Sequence, residues 1–202
     1  MLNNVEIKGT IRRIQPSHFM NGIQYMRADL IVPRSVDKED ILELKFRESA
    51  LNCSDGDVIS IKGNVRSFSQ KVSDTKNKVS IYVYTQFDEP DFDSQYINSL
   101  ILTGDVCKIE PLNYTTTGKP NFHFILRNKI YTHDDNFVTC YIPCSVWGRL
   151  AKDFCDLQVG DHVAIEGELH SRLYKKRLGE GDFEFRTAHE ALVTSIQMLD
   201  EE

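Results

Sequence analysis

The 202-residue sequence lacks the features that mark membrane-spanning, secreted and disulfide-stabilised proteins. No apolar run approaches the roughly 18 residues that a membrane-spanning helix needs. Nothing at the start resembles a signal peptide, because residues 1–4 lead directly into strand-like sequence. The cysteines number five, and an odd count without a secretion signal favours reduced, mostly buried thiols over a disulfide framework. These absences predict a cytoplasmic protein without membrane contact.

Motifs for catalysis, nucleotide binding and metal binding are also missing. Residues 118–120 read Gly-Lys-Pro, and Asn113 stands where a phosphate-binding loop requires glycine. The sequence has no nucleophile elbow, no zinc-protease motif and no dense carboxylate cluster on paired strands. Cys140 and Cys144 would lie about 13 Å apart on an extended strand, too far for both thiolates to reach one zinc ion. We therefore expect no enzymatic activity, no cofactor, no metal and no small-molecule substrate.

The sequence lacks the overall positive charge that is common among proteins that bind nucleic acids. Its formal net charge is −6, and residues 93–202 hold the whole excess, since residues 1–92 carry 13 basic and 13 acidic side chains. Against this background, one short segment concentrates four cations: Arg172, Lys175, Lys176 and Arg177. A local basic stripe of this kind can bind phosphate groups even on an acidic protein.

The sequence contains two copies of one pattern. Residues 4–11 and 99–106 are both alternating strands interrupted by a glycine. Residues 56–63 and 160–167 are both Gly-Asp turns that lead into a strand ending at glycine, and a serine follows four residues later in each copy. Two matched pairs in the same order indicate a tandem repeat.

The repeat predicts two homologous domains. The first is an N-terminal OB-like domain over residues 1–90, and the second covers residues 98–202. An acidic linker over residues 91–97 follows Pro90 and joins them.

Both copies show the same order of predicted elements. Strands are predicted near residues 4–14, 24–33, 40–47, 57–69 and 78–87, and again near 99–109, 122–131, 137–147, 162–174 and 184–198. A polar turn is predicted at residues 113–121, and a short helix at residues 149–157, where the first copy has only a very short helical segment. Five strands with a helix between the third and the fourth is the order of the oligonucleotide-binding (OB) barrel. The predicted fold class is all-β, with one short helix per domain and two tandem five-stranded OB-fold barrels. A different small Greek-key barrel or sandwich is the alternative.

Several short motifs follow one another in the second copy. They are Leu100-x3-Gly104, Thr117-Gly118-Lys119, residues 146–151, residues 159–167, Ser171-Arg172-x-Tyr174, Arg186-x3-Glu190 and residues 197–199. In this order and spacing they resemble the bacterial single-stranded DNA-binding protein (SSB) family. The first copy resembles a diverged version of the same domain, and the whole chain resembles a tandem two-domain SSB.

The resemblance implies a binding face on which aromatic side chains stack on bases and cations hold phosphates. The implied stacking residues are Trp147, Tyr174, Tyr131 and Tyr141. The candidate phosphate contacts are Arg127, Lys129, Arg149, Arg172, Lys175, Lys176 and Arg177. Strand alternation predicts that Arg172, Tyr174 and Lys176 share one side. The first copy offers weaker candidates, of which the two phenylalanines favour a core position: Arg34, Lys45, Phe46, Arg66 and Phe68.

The function that the resemblance implies is sequence-independent binding and protection of single-stranded DNA in replication, recombination or repair. Such a protein would be cytoplasmic and associated with the nucleoid. Since four OB folds are typical of a bacterial SSB assembly, a tandem chain is expected to form a homodimer. Two alternatives stay open at this point: a primosome-like or regulatory OB module that binds protein partners, and an RNA-binding protein.

Overall fold

A computed structural model describes residues 1–35, 38–73, 76–87, 96–131, 137–177, 179 and 182–200. The predicted linker therefore lies outside the described residues up to residue 95. Within the first half the chain forms five strands: β1 Asn3–Met20, β2 Ile23–Ser35, β3 Lys38–Arg47, β4 Val58–Ser73 and β5 Lys76–Phe87. A single 3-10 turn at Glu48–Ala50 occupies the position of the very short predicted helix.

The second half repeats this order with one additional short strand. Its elements are β6 Asn98–Ile109, β7 Asn113–Tyr114, β8 Pro120–Tyr131, β9 Phe137–Trp147, α1 Arg149–Asp153, β10 His162–Arg177 and β11 Phe183–Met198. The ten predicted strands are confirmed, and most are longer than predicted. The predicted polar turn is a small hairpin, because β7 pairs with the first residues of β8.

The helix α1 is shorter than the sequence predicts. It ends at Asp153, and the next residues form a turn in which the Leu157 amide donates to the Phe154 carbonyl oxygen. Among the described residues, the structure contains no helix with the length and apolarity to span a membrane. The predicted all-β class is confirmed. The predicted short helix is present as an α-helix in the second half, whereas the described residues of the first half have only the 3-10 turn.

Strand pairing closes a cycle in each half. In the first half, β1 pairs with β2 and β4, β2 with β3, and β5 with both β3 and β4. Only the short contact between β3 and β5 is parallel. The second half has the equivalent cycle β6–β8–β9–β11–β10–β6, in which the contact between β9 and β11 is parallel.

The side chains that alternate toward the inside of each cycle form the hydrophobic core. The fully buried ones include Ile7, Leu44, Phe46 and Ile61 in the first half, and Leu102, Leu126, Ile142 and Ile165 in the second. Because successive side chains of a strand point to opposite faces, the intervening residues lie on the outside. This alternation decides which of the candidate binding residues are accessible.

Repeated glycines stand where one strand passes close to the backbone of another. A Cβ atom on Gly104 would meet the carbonyl oxygen of Arg127, and a Cβ atom on Gly167 would meet that of Leu192. The equivalent glycines of the first half, Gly9 and Gly63, are similarly crowded by neighbouring backbone. The glycine pattern that revealed the repeat therefore reflects close approaches between paired strands.

The two halves are joined by an antiparallel pairing of β1 with β6. The register places Val5 opposite Leu100, Asn3 opposite Leu102 and Ile7 opposite Asn98. Since Val5 and Leu100 are equivalent positions of the repeat, the two halves are related by an approximate two-fold axis at this point. We call the β1–β6 pairing and the contacts beside it the seam.

Hydrogen bonds across the seam repeat the same symmetry. The amide of Tyr141 donates to Ser67 Oγ over 2.8 Å, and the amide of Ile41 donates to Ser171 Oγ over the same distance. Ser67 and Ser171 are the serines that follow the glycines of the repeat. In each half, the serine hydroxyl oxygen accepts a hydrogen bond from the backbone of the other half, from β9 to Ser67 and from β3 to Ser171.

Candidate nucleic-acid interface

The outward side of β8 and β9 forms one face, which we call the β8–β9 face, although Asn121 and Ser145 on it are buried. Cross-strand neighbours on it are Asn121 and Trp147, His123 and Ser145, Ile125 and Pro143, Arg127 and Tyr141, Lys129 and Thr139, and Tyr131 and Phe137. Ten residues separate Trp147 from Phe137, so the face is about 33 Å long. Three of the four predicted stacking residues lie on it.

Trp147 marks one end of the β8–β9 face. Its ring meets the His123 ring edge-on, with 6.4 Å between the ring centres. Lys119 Nζ lies 5.4 Å from the centre of the same ring. Arg149 follows after one glycine, strongly exposed, with Nε 3.4 Å from Asp153 Oδ2. Trp147 is therefore a half-buried ring with one cation, Lys119, near its ring centre.

A shallow groove connects this end to β10. It has a volume of about 260 Å³, and its lining includes Lys108, Glu110, His123, Pro143 and Arg172. Arg172 thus faces the same space as His123, which contacts Trp147. The predicted phosphate contact on β10 and the predicted stacking residue on β9 are brought together here.

Tyr141 and Arg127 occupy the middle of the β8–β9 face. Arg127 Nη2 lies 2.8 Å from Asp105 Oδ2, and His162 Nδ1 lies 2.8 Å from the other carboxylate oxygen. Burial alone would raise the pKa of Asp105, but the hydrogen bonds from Arg127 and His162 outweigh it and lower the pKa. Arg127 is therefore largely neutralised by Asp105, and a phosphate would have to compete with that carboxylate.

The far end of the β8–β9 face is the most exposed. Tyr131 is 73% exposed and stands opposite Phe137, which is also exposed. Lys129 Nζ lies 5.5 Å from the centre of the Phe137 ring. Two aromatic rings and a cation therefore meet at the end of the hairpin, and both rings are open to solvent.

The hairpin that β10 and β11 form beyond Ser171 carries the remaining candidates. We call residues 171–177 and 183–189 the arm. Pairing of Tyr174 with Arg186 and of Arg172 with Ala188 gives the arm an even face, which holds the even-numbered residues of both strands. Lys175 and Arg177 lie on the opposite, odd face. The side chain of Lys176 lies outside the described part of the chain, so its predicted place beside Tyr174 stays a prediction.

The outer surface of the first half carries a group of tyrosines and cations. Arg66 lies 3.8 Å from the centre of the Tyr84 ring, and Lys45 Nζ lies 4.0 Å from the centre of the Tyr82 ring. Arg47 hydrogen-bonds with the hydroxyl groups of Tyr84 and Tyr25, which raises the pKa of Arg47. We call these side chains the tyrosine patch: Tyr25, Lys45, Arg47, Arg66, Tyr82 and Tyr84.

Three candidates of the first half lie outside the tyrosine patch. Phe46 is fully buried in the core, so its position as a base-stacking candidate is wrong and its core position is confirmed. Phe68, for which a core position was also favoured, is instead 56% exposed, because it follows the inward Val65 at an odd spacing. Arg34 belongs to the seam, where its Nη1 lies 3.5 Å from Asp40 Oδ1.

Several accessible residues of these surfaces are absent from the sequence-based set. They are Lys119, His123 and Phe137 near the β8–β9 face, Phe183 and Phe185 on the arm, and the tyrosines of the first half. Strand alternation alone could have assigned most of them to the outside. Their proximity to the other candidates depends on cross-strand register, which the sequence does not give.

Comparison with known proteins identifies the family of the second half. The model of the single-strand binding protein family matches residues 97–199, just over half of the chain. The chain belongs to the single-strand binding protein family. No match was found among curated protein sequences.

Solved structures extend the likeness of this SSB-family chain to its whole length. The wild-type single-stranded DNA binding protein from Thermus aquaticus matches with a TM-score of 0.72 and 17% identity, over 100% of this chain and 94% of that chain. A deletion variant of the same protein matches with a TM-score of 0.71 and 18% identity, over 100% of this chain and 96% of that chain. At this identity the likeness establishes a shared, OB-like SSB fold.

Proposed function

We propose that this SSB-family protein binds single-stranded DNA without sequence preference, and that it is not an enzyme. The observation that carries the proposal is the β8–β9 face, which has aromatic rings at both ends and in its middle, each with a cation beside it, over about 33 Å. The family membership of residues 97–199 supports the same function. Protection of single strands during replication, recombination or repair is the role that we infer for such binding.

The proposed mechanism needs stacking and charge rather than base-edge recognition. Trp147, Tyr141, Tyr131 and Tyr174 stack on bases, and each contact contributes roughly 1–3 kcal/mol whatever the base. Arg172 and Arg149 hold phosphates near Trp147, and Lys129 does so at the far end. The negative charge of the protein is compatible with this, because binding depends on the local field along the face.

We further propose that the chain consists of two tandem OB barrels, residues 1–90 and 98–202, with residues 91–97 as the linker. The closed pairing cycles support two barrels, since the order β1–β2–β3–β5–β4 is that of the OB fold. The tyrosine patch and Phe68 make the first barrel a second, weaker DNA-binding unit. Its rings are already covered by Arg66 and Lys45, so a base must displace or share these cations.

Oligo-dT binding, followed by fluorescence anisotropy, tests the proposal. Wild-type protein is expected to bind at sub-micromolar concentration, and the Trp147→Ala/Tyr174→Ala double variant at least about 30-fold more weakly, since two stacking contacts are lost. Val159→Ser, an exposed change in the turn before β10, is the control and should bind like wild type. An unchanged affinity of the double variant would contradict the proposed site, and no binding by wild type would contradict the function.

Salt titration separates the phosphate contacts from the stacking contacts. For single strands, log K falls with log salt concentration with a slope of about −0.7 per phosphate contact. Arg172→Gln is expected to make the slope less steep by about 0.7, whereas Lys62→Gln, outside these surfaces, should leave it unchanged. The same titration with matched RNA oligomers tests the RNA alternative, which equal or tighter RNA binding would favour.

We propose that two chains associate as a homodimer and so bring four OB folds together. Light scattering is expected to give a particle of about twice the 23.3 kDa chain mass. A monomer at concentrations where DNA is bound would contradict this assembly and leave the binding function untouched.

A further inference from the structure

The arm has a second surface, on which the sequence predicts two phosphate contacts, Lys175 and Arg177, but no stacking residue. Cross-strand pairing sets Lys175 opposite Phe185 and Arg177 opposite Phe183. Leu173 precedes them on the same side, since it is two residues before Lys175. These five residues form the odd face of the arm, opposite Arg172 and Tyr174.

The odd face is apolar, positively charged and open. Leu173 is 67% exposed, Phe185 66% and Phe183 48%. Lys175 Nζ lies 3.7 Å from the centre of the Phe183 ring, so a cation already rests on one aromatic face. Single exposed apolar side chains are common, but three adjacent ones beside two cations form a patch of the kind that marks an interaction site.

We infer that the odd face of the arm is a second stacking surface for single-stranded nucleic acid, which lengthens the stretch of strand that one chain covers. Bases stack on Phe183 and Phe185, and Lys175 and Arg177 hold the neighbouring phosphates. The inference rests on the proposed DNA-binding function and extends it to a face that lies behind Tyr174.

Charge distinguishes a nucleic acid from a second copy of the arm as the occupant. The carboxylate of Glu184 lies on the even face, where Arg186 Nη2 is 2.6 Å away. Among the described residues of the odd face, both charged side chains are cationic. Two arms meeting by their odd faces would set Lys175 and Arg177 against like charges, whereas a polyanion with stacked bases complements both the rings and the cations.

Continuity with the proposed site supports the same occupant. The arm is a two-stranded hairpin, so a strand that stacks on Tyr174 reaches the odd face by passing around one edge. The distribution of cations fits this path, because Arg172 lies on one side of β10 while Lys175 and Arg177 lie on the other. If the strand bound to only one side of the arm, cations on both sides of β10 would have no role in holding its phosphates.

The test compares oligo-dT of two lengths and a Phe183→Thr/Phe185→Thr variant. The short oligomer, about 10 nucleotides, falls within the roughly 4–16 nucleotides that one OB fold covers, and the long one is about four times longer. The variant is expected to bind the long oligomer at least about 30-fold more weakly than wild type, since two stacking contacts are lost, and the short one within about two-fold. Threonine keeps the strand propensity of the arm, and retained binding of the short oligomer shows that Tyr174, on the other face of the arm, is still in place.

Two further proteins make the outcomes distinguishable. Tyr174→Ala is expected to weaken the binding of both oligomers. Val159→Ser is expected to weaken the binding of neither. If wild type bound no oligomer, the proposed function itself would fail. If wild type bound both and the double phenylalanine variant matched it at both lengths, only the odd-face inference would be overturned.

A direct readout complements the affinities. Photo-crosslinking of a long oligomer that carries 5-iodouracil is expected to give adducts on the peptide with Phe183 and Phe185, in addition to those near Trp147 or Tyr174. Adducts confined to the latter would overturn the inference. A change in light-scattering mass of the variant without a change in DNA affinity would also overturn it, since the odd face would then be a contact between chains.

Discussion

At the scale of single residues, the seam concentrates ionisable groups around His170. Its Nδ1 lies 3.1 Å from Asp40 Oδ2, and its Nε2 lies 3.0 Å from Glu168 Oε2. Arg34 Nη1 also lies 2.8 Å from Nδ1, so this nitrogen either donates to Asp40 or accepts from Arg34. Because two carboxylates flank the ring, the protonated form that donates to both is favoured.

The pKa directions agree with that protonation state. Burial alone would lower the pKa of His170, but the hydrogen bonds with Asp40 and Glu168 outweigh it and raise the pKa above the ordinary value. Burial alone would raise the pKa of Asp40, and the hydrogen bonds from His170 and Ser171 instead lower it. The His170 contribution to stability is thus complete below the ordinary histidine pKa and is lost as pH rises through the raised one.

Replacement of His170 is expected to destabilise the protein in a pH-dependent way. His170→Ala leaves the buried carboxylate of Asp40 without its main partner and should cost about 3 kcal/mol of unfolding free energy at pH 6. At pH 9 the difference from wild type should be smaller, because wild type has then lost the charged ring. Urea unfolding at both pH values measures this, with the exposed His18→Ala as control. An equal difference at pH 6 and pH 9 would contradict the assigned charge state.

Individual positions also show what strand alternation can and cannot predict. Phe46 shares the parity of the buried Leu42 and Leu44, so its core position could be predicted from the sequence. Phe68 has the opposite parity to Ile61 and Val65, and its exposure followed from the same rule. The contact between an outward Lys45 and Tyr82 could not be predicted, because it depends on the register between strands that are distant in sequence.

At the scale of elements, the close pairing of β10 with β11 at the register shift beside Gly167 depends on the absence of a side chain there. A Cβ atom there would meet the carbonyl oxygen of Leu192, which belongs to the backbone and cannot move aside alone. Gly167→Ala is expected to cost roughly 1–3 kcal/mol of unfolding free energy, which lowers the melting temperature by several degrees. Calorimetry measures the shift. Gly179→Ala is the matched control, since nothing lies within 4 Å of its added Cβ atom, and a loss as large as that of Gly167→Ala would contradict the steric argument.

Element order was predictable because the repeat and the alternation report it independently. Strand ends were less predictable: β1 continues to Met20 and the arm strands to Arg177 and Phe183, beyond the cores of the halves. Such extensions are held by cross-strand hydrogen bonds rather than by a buried apolar face, so they leave a weak pattern in the sequence. The length of α1 was overestimated because the sequence pattern there is too strong rather than too weak: Phe154 and Leu157 keep a helical apolar spacing after the helix has ended.

At the scale of the whole molecule, the seam makes the two halves parts of one structure. Asn3, which is buried, donates to the carbonyl oxygen of Val65 in its own half and to Asn128 Oδ1 in the other. Nothing in the sequence marks β1 and β6 as partners, because both strands have the same alternation of apolar and polar residues as the other strands. The tandem repeat therefore predicts two domains. The structure adds that β1 of the first half and β6 of the second are hydrogen-bonded to each other, so neither strand is an unpaired edge.

One cooperative unfolding transition is expected from this arrangement. Trp147 is the single tryptophan and reports on the second half, whereas circular dichroism reports on both halves. Two variants of the first half test this. Asn3→Ala should cost about 1–3 kcal/mol of unfolding free energy, because it leaves Val65 and Asn128 without their hydrogen-bond partner. Phe46→Ala should cost about 3–5 kcal/mol, because it opens a cavity in the core. If the seam couples the halves, both variants lower the denaturation midpoint that Trp147 fluorescence reports, and Phe68→Ala, an exposed change, does not. A Trp147 midpoint that stays fixed while circular dichroism acquires a second, earlier transition would show that the halves unfold independently, and the seam would then be a contact between stable domains.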